Sequence, residues 1–167
     1  SRRQRQMCIR DRYGVTLPAY DEDWTWDQFG EEAKKFSEAA AGKGIYFAGD
    51  SSADINCFRW AAREAGGDNY TEDGRLGFEE QTMIDFLDMW NTFRDEGAIP
   101  DAATASEDGS LALEQRLFSL GKMVIHNVPI NQLYLYADAM PDNNITAIRI
   151  PTAADGTRAE YLEGAHF

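Results

Sequence analysis

Two short apolar runs, each preceded by a helix-length segment, constrain the fold of this chain more than any other feature. The runs are residues 45–48 (IYFA) and 123–125 (MVI). Apolar runs of this length without polar alternation are typical of strands that are buried on both faces of a sheet. Strands separated by helices predict an α/β domain, in which helices cover a largely buried sheet.

The helical segments are recognised by their ends. Residues 25–44 begin with Thr25 and Gln28, which have the spacing of a capping box, and end at glycines. This segment places apolar residues on one face, as a helix packed on a core requires. We predict further helices at about residues 55–65, 78–96, 113–120 and 129–140, a polar loop at 101–109 and another strand at 144–151.

The charge of the chain argues against a nucleic-acid partner. There are 29 acidic and 16 basic residues, which gives a net charge of −13. Such a chain repels phosphate backbones, so we expect no nucleic-acid partner.

Cys8 and Cys57 could form a disulfide on sequence grounds, but no cysteine or histidine has zinc-ligand spacing. We predict no metal and no cofactor, since no phosphate-binding glycine motif is present either.

The first twelve residues differ from the rest of the chain. Residues 1–12 (SRRQRQMCIRDR) contain five of the 16 basic residues and show neither a helical nor a strand period. One interpretation is a basic arm for an acidic partner. The string also resembles the translated read-through of a sequencing adapter, and we interpret it as a non-native leader that is excluded from the fold.

The second apolar run ends in a way that indicates a binding site. His126 and Asn127 follow the run directly, and Pro129 then begins the next helical segment. In α/β sheets, ligands bind beyond the strand ends, where loops and helix N-termini converge. We therefore expect His126 and Asn127 to lie at the rim of a cleft.

Five weak motifs, in order, resemble one protein family. They are WTWDQFGEEAKKF, GDSSADINCFRWAAREAGGDNYTEDGRLGF, FRDEGAIPD, LEQRLFSLGKMVIHNVP and IRIPTAADG. Together they resemble the extracellular solute-binding proteins of ABC transporters, of the family 1 sugar-binding type. The resemblance implies a periplasmic-binding-protein-like (type II) fold, of which this chain is mostly the C-terminal lobe. Residues 13–157 would form the α/β ligand-binding lobe, and 158–167 would begin the hinge crossing.

The same resemblance implies candidate ligand-binding residues. Before the helix predicted at 55–65, the family presents a carboxylate and an aromatic ring to the sugar. The matching positions here are Asp54 and Asn56, so the aromatic is missing at 56, and Phe58 or Trp60 could replace it. After the second strand, the family places polar residues and then an aromatic. The corresponding candidates in this chain are His126, Asn127 and Asn131, with His166 at the hinge crossing.

Each candidate also has a structural interpretation. Asp54 can cap the helix that follows it, and its two oxygens allow capping and sugar binding together. Trp60 shares an apolar face with Cys57, as a core residue would. Asn56 and Asn127 suit loop hydrogen bonds as well as ligand contacts. His126 has no carboxylate or cysteine nearby in sequence, so we assign it no catalytic role.

The function implied by the resemblance is solute capture for import. The two lobes of such a receptor would close over a sugar or oligosaccharide and then dock on the permease subunits of the transporter. We expect a monomer that works outside the cytoplasm, in the periplasm or lipid-anchored at the outer face of the membrane. The alternatives are a carbohydrate-active enzyme and a non-catalytic interaction domain. We predict no enzymatic activity, because no pair of carboxylates stands out among the 29.

Overall fold

The computed structural model of the protein describes residues 9–141 and 145–161. Within these residues, two parallel strands form the sheet, and helices flank them. The strands are β1 (Tyr46–Ala48) and β2 (Met123–Ile125), and the helices are α1 (Ile9–Arg12), α2 (Trp26–Ala40), α3 (Ile55–Glu64), α4 (Glu80–Asp95), α5 (Ala102–Ser110) and α6 (Leu133–Ala139).

The capping box predicted at the start of α2 is confirmed. Thr25 Oγ1 accepts a hydrogen bond from the Gln28 amide at 3.2 Å, and Gln28 Oε1 accepts one from the Thr25 amide at 2.9 Å. These bonds satisfy two backbone donors that the first helical turn would otherwise leave without a partner. The helix then buries Phe29, Ala33 and Phe36 on one face, as its spacing predicted.

An aromatic cluster joins α2, β1 and α4. The ring of Phe29 lies 5.1 Å from that of Phe47 and 5.3 Å from that of Phe93, measured between centroids. Trp90 meets Phe93 edge to face at 5.6 Å. Burying each large apolar side chain is worth about 1.5–3 kcal/mol, and edge-to-face contacts add about 0.5–1.5 kcal/mol per pair. The strands predicted at 45–48 and 123–125 are confirmed, and this cluster explains why the first is buried.

The end of α4 is fixed directly to β1. The amides of Phe47 and Ala48 donate to the Ala98 carbonyl at 2.8 and 3.2 Å. Gly97 makes the intervening turn with a φ of +73°, a conformation that favours glycine. The last turn of α4 is therefore held beside the carboxyl end of the strand. This helix was predicted at 78–96, and α3 at 55–65, so the structure confirms both to within two residues at each end.

The prediction of a loop at residues 101–109 is wrong. The segment forms α5, which buries no side chain. Asp101 is the N-cap of α5, and its Oδ1 accepts a hydrogen bond from the Thr104 amide at 2.8 Å. Because α5 has no apolar face, hydrophobic periodicity could not reveal it, and the N-cap was the available signal.

The helix predicted at 113–120 is also wrong. Residues Leu113–Gln115 form one 3₁₀ turn, and successive turns lead to Gly121. Side chains take over the backbone bonds that a helix would use. The Leu117 amide donates to Asp108 Oδ1 at 2.6 Å, and the Arg116 guanidinium donates to the Leu111 carbonyl at 3.1 Å.

The strand predicted at 144–151 does not form over residues 145–150, and residue 144 lies outside the described ranges. An isolated parallel bridge follows just after the segment, between Thr152 and Thr25. The preceding Pro151 cannot donate to a ladder. The Arg149 carbonyl accepts instead from the indole N–H of Trp24 at 2.9 Å, so a side chain occupies a group that a neighbouring strand would need.

Residues 9–12 contradict our prediction that the first twelve residues lack helical structure. They form α1, and Ile9 packs against the core. The Val15 amide donates to the Arg10 carbonyl at 3.0 Å, which ties this turn to a buried residue. Residues 1–8 lie outside the described ranges, and the non-native origin of the leader stays a prediction.

The helix predicted from Pro129 begins later than expected. Pro129 precedes a 3₁₀ turn, Ile130–Gln132, and α6 follows it. Residues 158–161 form neither helix nor strand, and the rest of the predicted hinge crossing lies outside the described residues.

Candidate functional site

The parallel pairing of β1 and β2 brings the segments after the two strands to the same edge of the sheet. Ala48 lies opposite Ile125 in the register. One residue further, the Gly49 amide donates to the Ile125 carbonyl at 3.2 Å. Residues 49–54 and 126–129 therefore leave the sheet side by side. We call this place, where the two segments meet the first turn of α3, the carboxyl edge.

Gly49 allows the two segments to approach closely. A Cβ at this position would lie 3.3 Å from His126 Nδ1 and 3.4 Å from the sulfur of Met123. These distances leave little space for a side chain, so the absence of a Cβ lets the imidazole lie against the backbone of the first segment.

Asn127 connects the second segment to α3. Its Nδ2 donates to Cys57 Sγ at 2.8 Å. The thiol is buried, and burial raises its pKa, with the negative charge of Asp54 adding to the effect. A thiol with a raised pKa is protonated at neutral pH and is a poor nucleophile. Cys57 is thus a buried hydrogen-bond acceptor at the carboxyl edge.

Asp54 begins α3 as its N-cap. Its Oδ1 accepts from the Asn56 amide at 2.8 Å, which confirms the capping role. The Asp54 amide in turn donates to the Ser51 carbonyl at 3.1 Å, so the loop closes before the helix begins. Sugar binding through the remaining oxygen of Asp54 stays a prediction.

His126 is held by aromatic side chains. Its Nε2 lies 2.9 Å from the hydroxyl of Tyr136, and its ring lies 5.5 Å from that of Phe118. Burial lowers the pKa of His126, with Arg116 acting in the same direction and Asp108 opposing it. The imidazole is therefore neutral at neutral pH, and it can donate from one nitrogen and accept at the other.

Asn56 lies exposed on the first turn of α3, where an aromatic residue adjoins it. The Tyr161 hydroxyl donates to Asn56 Oδ1 at 3.3 Å. The guanidinium of Arg59 lies 4.3 Å from the centroid of the Tyr161 ring, a cation–π contact. The sequence put no aromatic at position 56, but the fold brings one to its side chain from a distant segment.

The remaining predicted site residues are placed differently. Trp60 is half-buried and packs against the hydrophobic core, as its structural interpretation expected. Asn131 is exposed on the 3₁₀ turn that follows Pro129. His166 lies outside the described residues. Ligand roles for these three residues stay predictions.

Sequence reasoning missed an ion pair at the carboxyl edge. Arg94, in the last turn of α4, donates from Nη2 to Asp50 Oδ2 at 2.7 Å and to Ser52 Oγ at 3.0 Å. The Asp50 side chain is 8% exposed. Burial disfavours its charged form, but bonds from Arg94 and the Ser52 amide outweigh this effect and lower its pKa. An aspartate two residues after a buried strand was the signal available.

Two clefts of the described chain lie between helices. A groove of ≈ 500 Å³ runs between α2 and α4, and a smaller one of ≈ 230 Å³ extends from there along α3 to Cys57. Trp26 and Met89 line both grooves.

Over the described ranges, no set of three or more histidine, cysteine or acidic side chains is arranged to hold a metal ion. Nor is any helix in these ranges both long and apolar enough to cross a membrane.

No protein-family model matches the sequence. Its fold is shared by solved structures, among them the following two. An extracellular solute-binding protein family 1 from Alicyclobacillus acidocaldarius is 24% identical with a TM-score of 0.69, over 82% of this chain and 34% of that protein. An ABC substrate-binding protein from Listeria monocytogenes, in complex with cycloalternan, is 23% identical with a TM-score of 0.61, over 78% of this chain and 32% of that protein.

These likenesses define the fold class. The chain has the periplasmic-binding-protein-like fold of ABC solute-binding proteins, as the resemblance in sequence predicted. It spans about a third of the length of each solved protein.

Proposed function

We propose that this chain is part of the substrate-binding receptor of an ABC importer. In this proposal it forms most of the C-terminal lobe, and it binds a sugar or oligosaccharide at its carboxyl edge against a second lobe. The solved protein in complex with cycloalternan supports a saccharide as the class of solute, since it shares the fold over 78% of this chain.

One observation supports this proposal most strongly: the segments after both strands, which carry polar side chains, meet the first turn of α3 at the carboxyl edge. Asp54 ends the segment after β1, Asn56 follows it in α3, and His126 and Asn127 begin the segment after β2. Carboxylate, amide and imidazole groups pair with sugar hydroxyls, because a hydroxyl both donates and accepts. The Tyr161 ring beside Asn56 could cover an apolar sugar face.

The proposed mechanism is capture without turnover. The lobes would rotate together when the solute contacts both, and the closed form would dock on the permease subunits. We propose that the receptor is a monomer and works outside the cytoplasm. A single lobe would bind the solute weakly, because it supplies only part of the contacts.

The carboxylates of the described residues support a receptor better than a glycosidase. A glycosidase needs two carboxyl groups across one bond, one of them with a raised pKa. Burial raises the pKa of Glu64, but this carboxylate accepts from the Trp26 indole at 3.0 Å at the far end of α3. Asp50, at the carboxyl edge, is tied to Arg94 with a lowered pKa.

Isothermal titration with cycloalternan and a panel of linear oligosaccharides tests the proposal. We expect saturable binding, weakened about three- to tenfold in Asn127→Ala, the cost of losing one neutral hydrogen bond. Asp54→Asn keeps the N-cap but removes the charge, so its effect reports on ligand contact. Asp101→Asn makes the same change at the cap of α5 and should leave binding unchanged.

Two results would contradict this function. Absence of heat or thermal shift with every saccharide, on a folded chain and at concentrations high enough to detect the weak binding of a single lobe, would remove sugar binding. Chromatography of the saccharide after incubation separates receptor from enzyme, because a receptor returns the sugar intact while a glycosidase shortens it.

A further inference from the structure

The loop that follows β1 is anchored at both of its ends. At its far end, Asp54 caps α3. At its near end, Asp50 Oδ1 accepts from the Ser52 amide at 2.9 Å, which closes a tight turn. Asp50 Oδ2 remains for a partner outside the loop, and Arg94 is that partner.

Arg94 is well suited to fix this loop, because its own backbone is held rigidly. It lies in the last turn of α4, and the following turn is bonded to β1 through the Ala98 carbonyl. Its Nη1 donates to Asn91 Oδ1 at 2.6 Å, one turn earlier in the same helix. The guanidinium is thus oriented from its own helix before it reaches Asp50 and Ser52.

The ion pair is shielded from solvent, so its bonds are stronger than those of a surface pair. The Arg94 side chain is 23% exposed and that of Asp50 is 8% exposed. Charge-assisted bonds in such surroundings are stronger than neutral bonds, and removing one partner leaves a buried charge without compensation. We therefore expect loss of this ion pair to free the loop from α4.

We propose that Arg94 is a positioning residue of the carboxyl edge. Its guanidinium holds Asp50 and Ser52, and through them it sets the path of residues 50–54 and the place of Asp54 at the start of α3. The part of this inference that concerns ligand affinity rests on the proposed function, whereas the part that concerns the loop does not.

Amide hydrogen exchange on the full chain tests the loop directly. In Arg94→Met the apolar stem is kept and the guanidinium is lost. We expect protection of the Ser52 and Asp54 amides to fall by roughly tenfold or more, the loss of bonds to a charged group. Amides in the middle of α2 should keep their protection. Arg149→Met serves as the matched control, because it removes an ion pair with Asp23 that is more exposed than the pair of Arg94 with Asp50.

Two further variants keep the test decisive. Arg94→Lys retains a charge that can reach Asp50 and should restore part of the protection, whereas a purely steric role would show no such rescue. If Arg94→Met does not fold, Asp50→Asn removes the same pair from the other side. Unchanged protection at Ser52 and Asp54 in a folded variant would overturn the proposal.

Saccharide titration of the same variants separates this inference from the proposed function. If the unmodified chain binds, Arg94→Met should weaken affinity at a temperature where both proteins are fully folded, while Arg149→Met should not. Equal affinity in Arg94→Met would overturn the link to binding. If the unmodified chain binds no saccharide, the proposed function fails, and the exchange result still decides whether Arg94 positions the loop.

Discussion

Asn127 Nδ2 lies 2.8 Å from Cys57 Sγ, so the segment after β2 is bonded to the first turn of α3. This bond joins two segments of the chain that the strand register had already brought to one edge. The buried thiol and the exposed amide make a pair in which one group is available to solvent and the other is not.

Cys57 should be unreactive in the folded protein. Burial raises the pKa of its thiol, and alkylation requires the thiolate. We expect iodoacetamide at pH 8 to leave Cys57 unmodified until a denaturant is added, as measured by peptide mass spectrometry in a Cys8→Ser background. Rapid labelling of the native protein would contradict the burial of this side chain.

Gly49→Ala should destabilise the fold. The added Cβ would meet His126 Nδ1 at 3.3 Å, and crowding a packed site costs about 1–3 kcal/mol. Urea denaturation measures the loss. Gly109→Ala, in α5, is the matched control, because its Cβ meets nothing within 4 Å and its helix should gain about 0.5–1 kcal/mol. Equal effects of both substitutions would disprove the close approach.

Removing the N-cap of α2 should lower stability. Thr25→Ala deletes the hydroxyl that accepts from the Gln28 amide, a loss of about 1 kcal/mol in the free energy of unfolding. Thr25→Ser keeps the hydroxyl and should retain most of the stability. Thermal unfolding of the three proteins compares them. A Thr25→Ser variant as unstable as Thr25→Ala would show that the methyl group, and not the cap, matters.

His126 should make stability depend on pH in the acidic range. Its folded pKa is lowered by burial, so its contribution is complete above the unfolded value of about 6.5. That contribution is lost as the pH falls through the folded pKa, because the unfolded chain binds the proton more readily. The stability difference between the parent and His126→Gln should therefore shrink or reverse from pH 8 to pH 5.

Urea unfolding at several pH values measures this difference, with His166→Gln present in both proteins so that His126 is the histidine compared. Asp108 opposes the shift and Arg116 supports it, so Asp108→Asn should strengthen the effect. A difference that stays constant over this range would exclude titration of a buried His126.

The sequence predicted those parts of the fold that rest on local pattern. Neighbouring residues determine three of these features: the capping box at Thr25, the buried strand before Gly49 and the apolar face of α2. The helix α5 was not predicted, because it buries no side chain and so has no apolar pattern in the sequence. The 113–120 segment was predicted as helix because its leucines have helical spacing, but Asp108 takes the Leu117 amide from outside the segment.

The candidate site was predictable only in part, for the same reason. Residues directly after strands, such as His126 and Asn127, are visible as breaks in an apolar run. The partners that hold them come from elsewhere in the chain: Cys57 for Asn127, and Tyr136 for His126. Arg94 reaches Asp50 from another helix, and no spacing in sequence indicates this contact.

The parallel register of β1 and β2 has a consequence for how the chain folds. The two strands are distant in sequence, and α3, α4 and α5 lie between them. Closing a connection of this length costs entropy before the pairing returns any free energy. We expect α2 and α4 to gain structure early, around their shared aromatic cluster, and the carboxyl edge to form late. Mutations at this edge should therefore speed unfolding more than they slow folding.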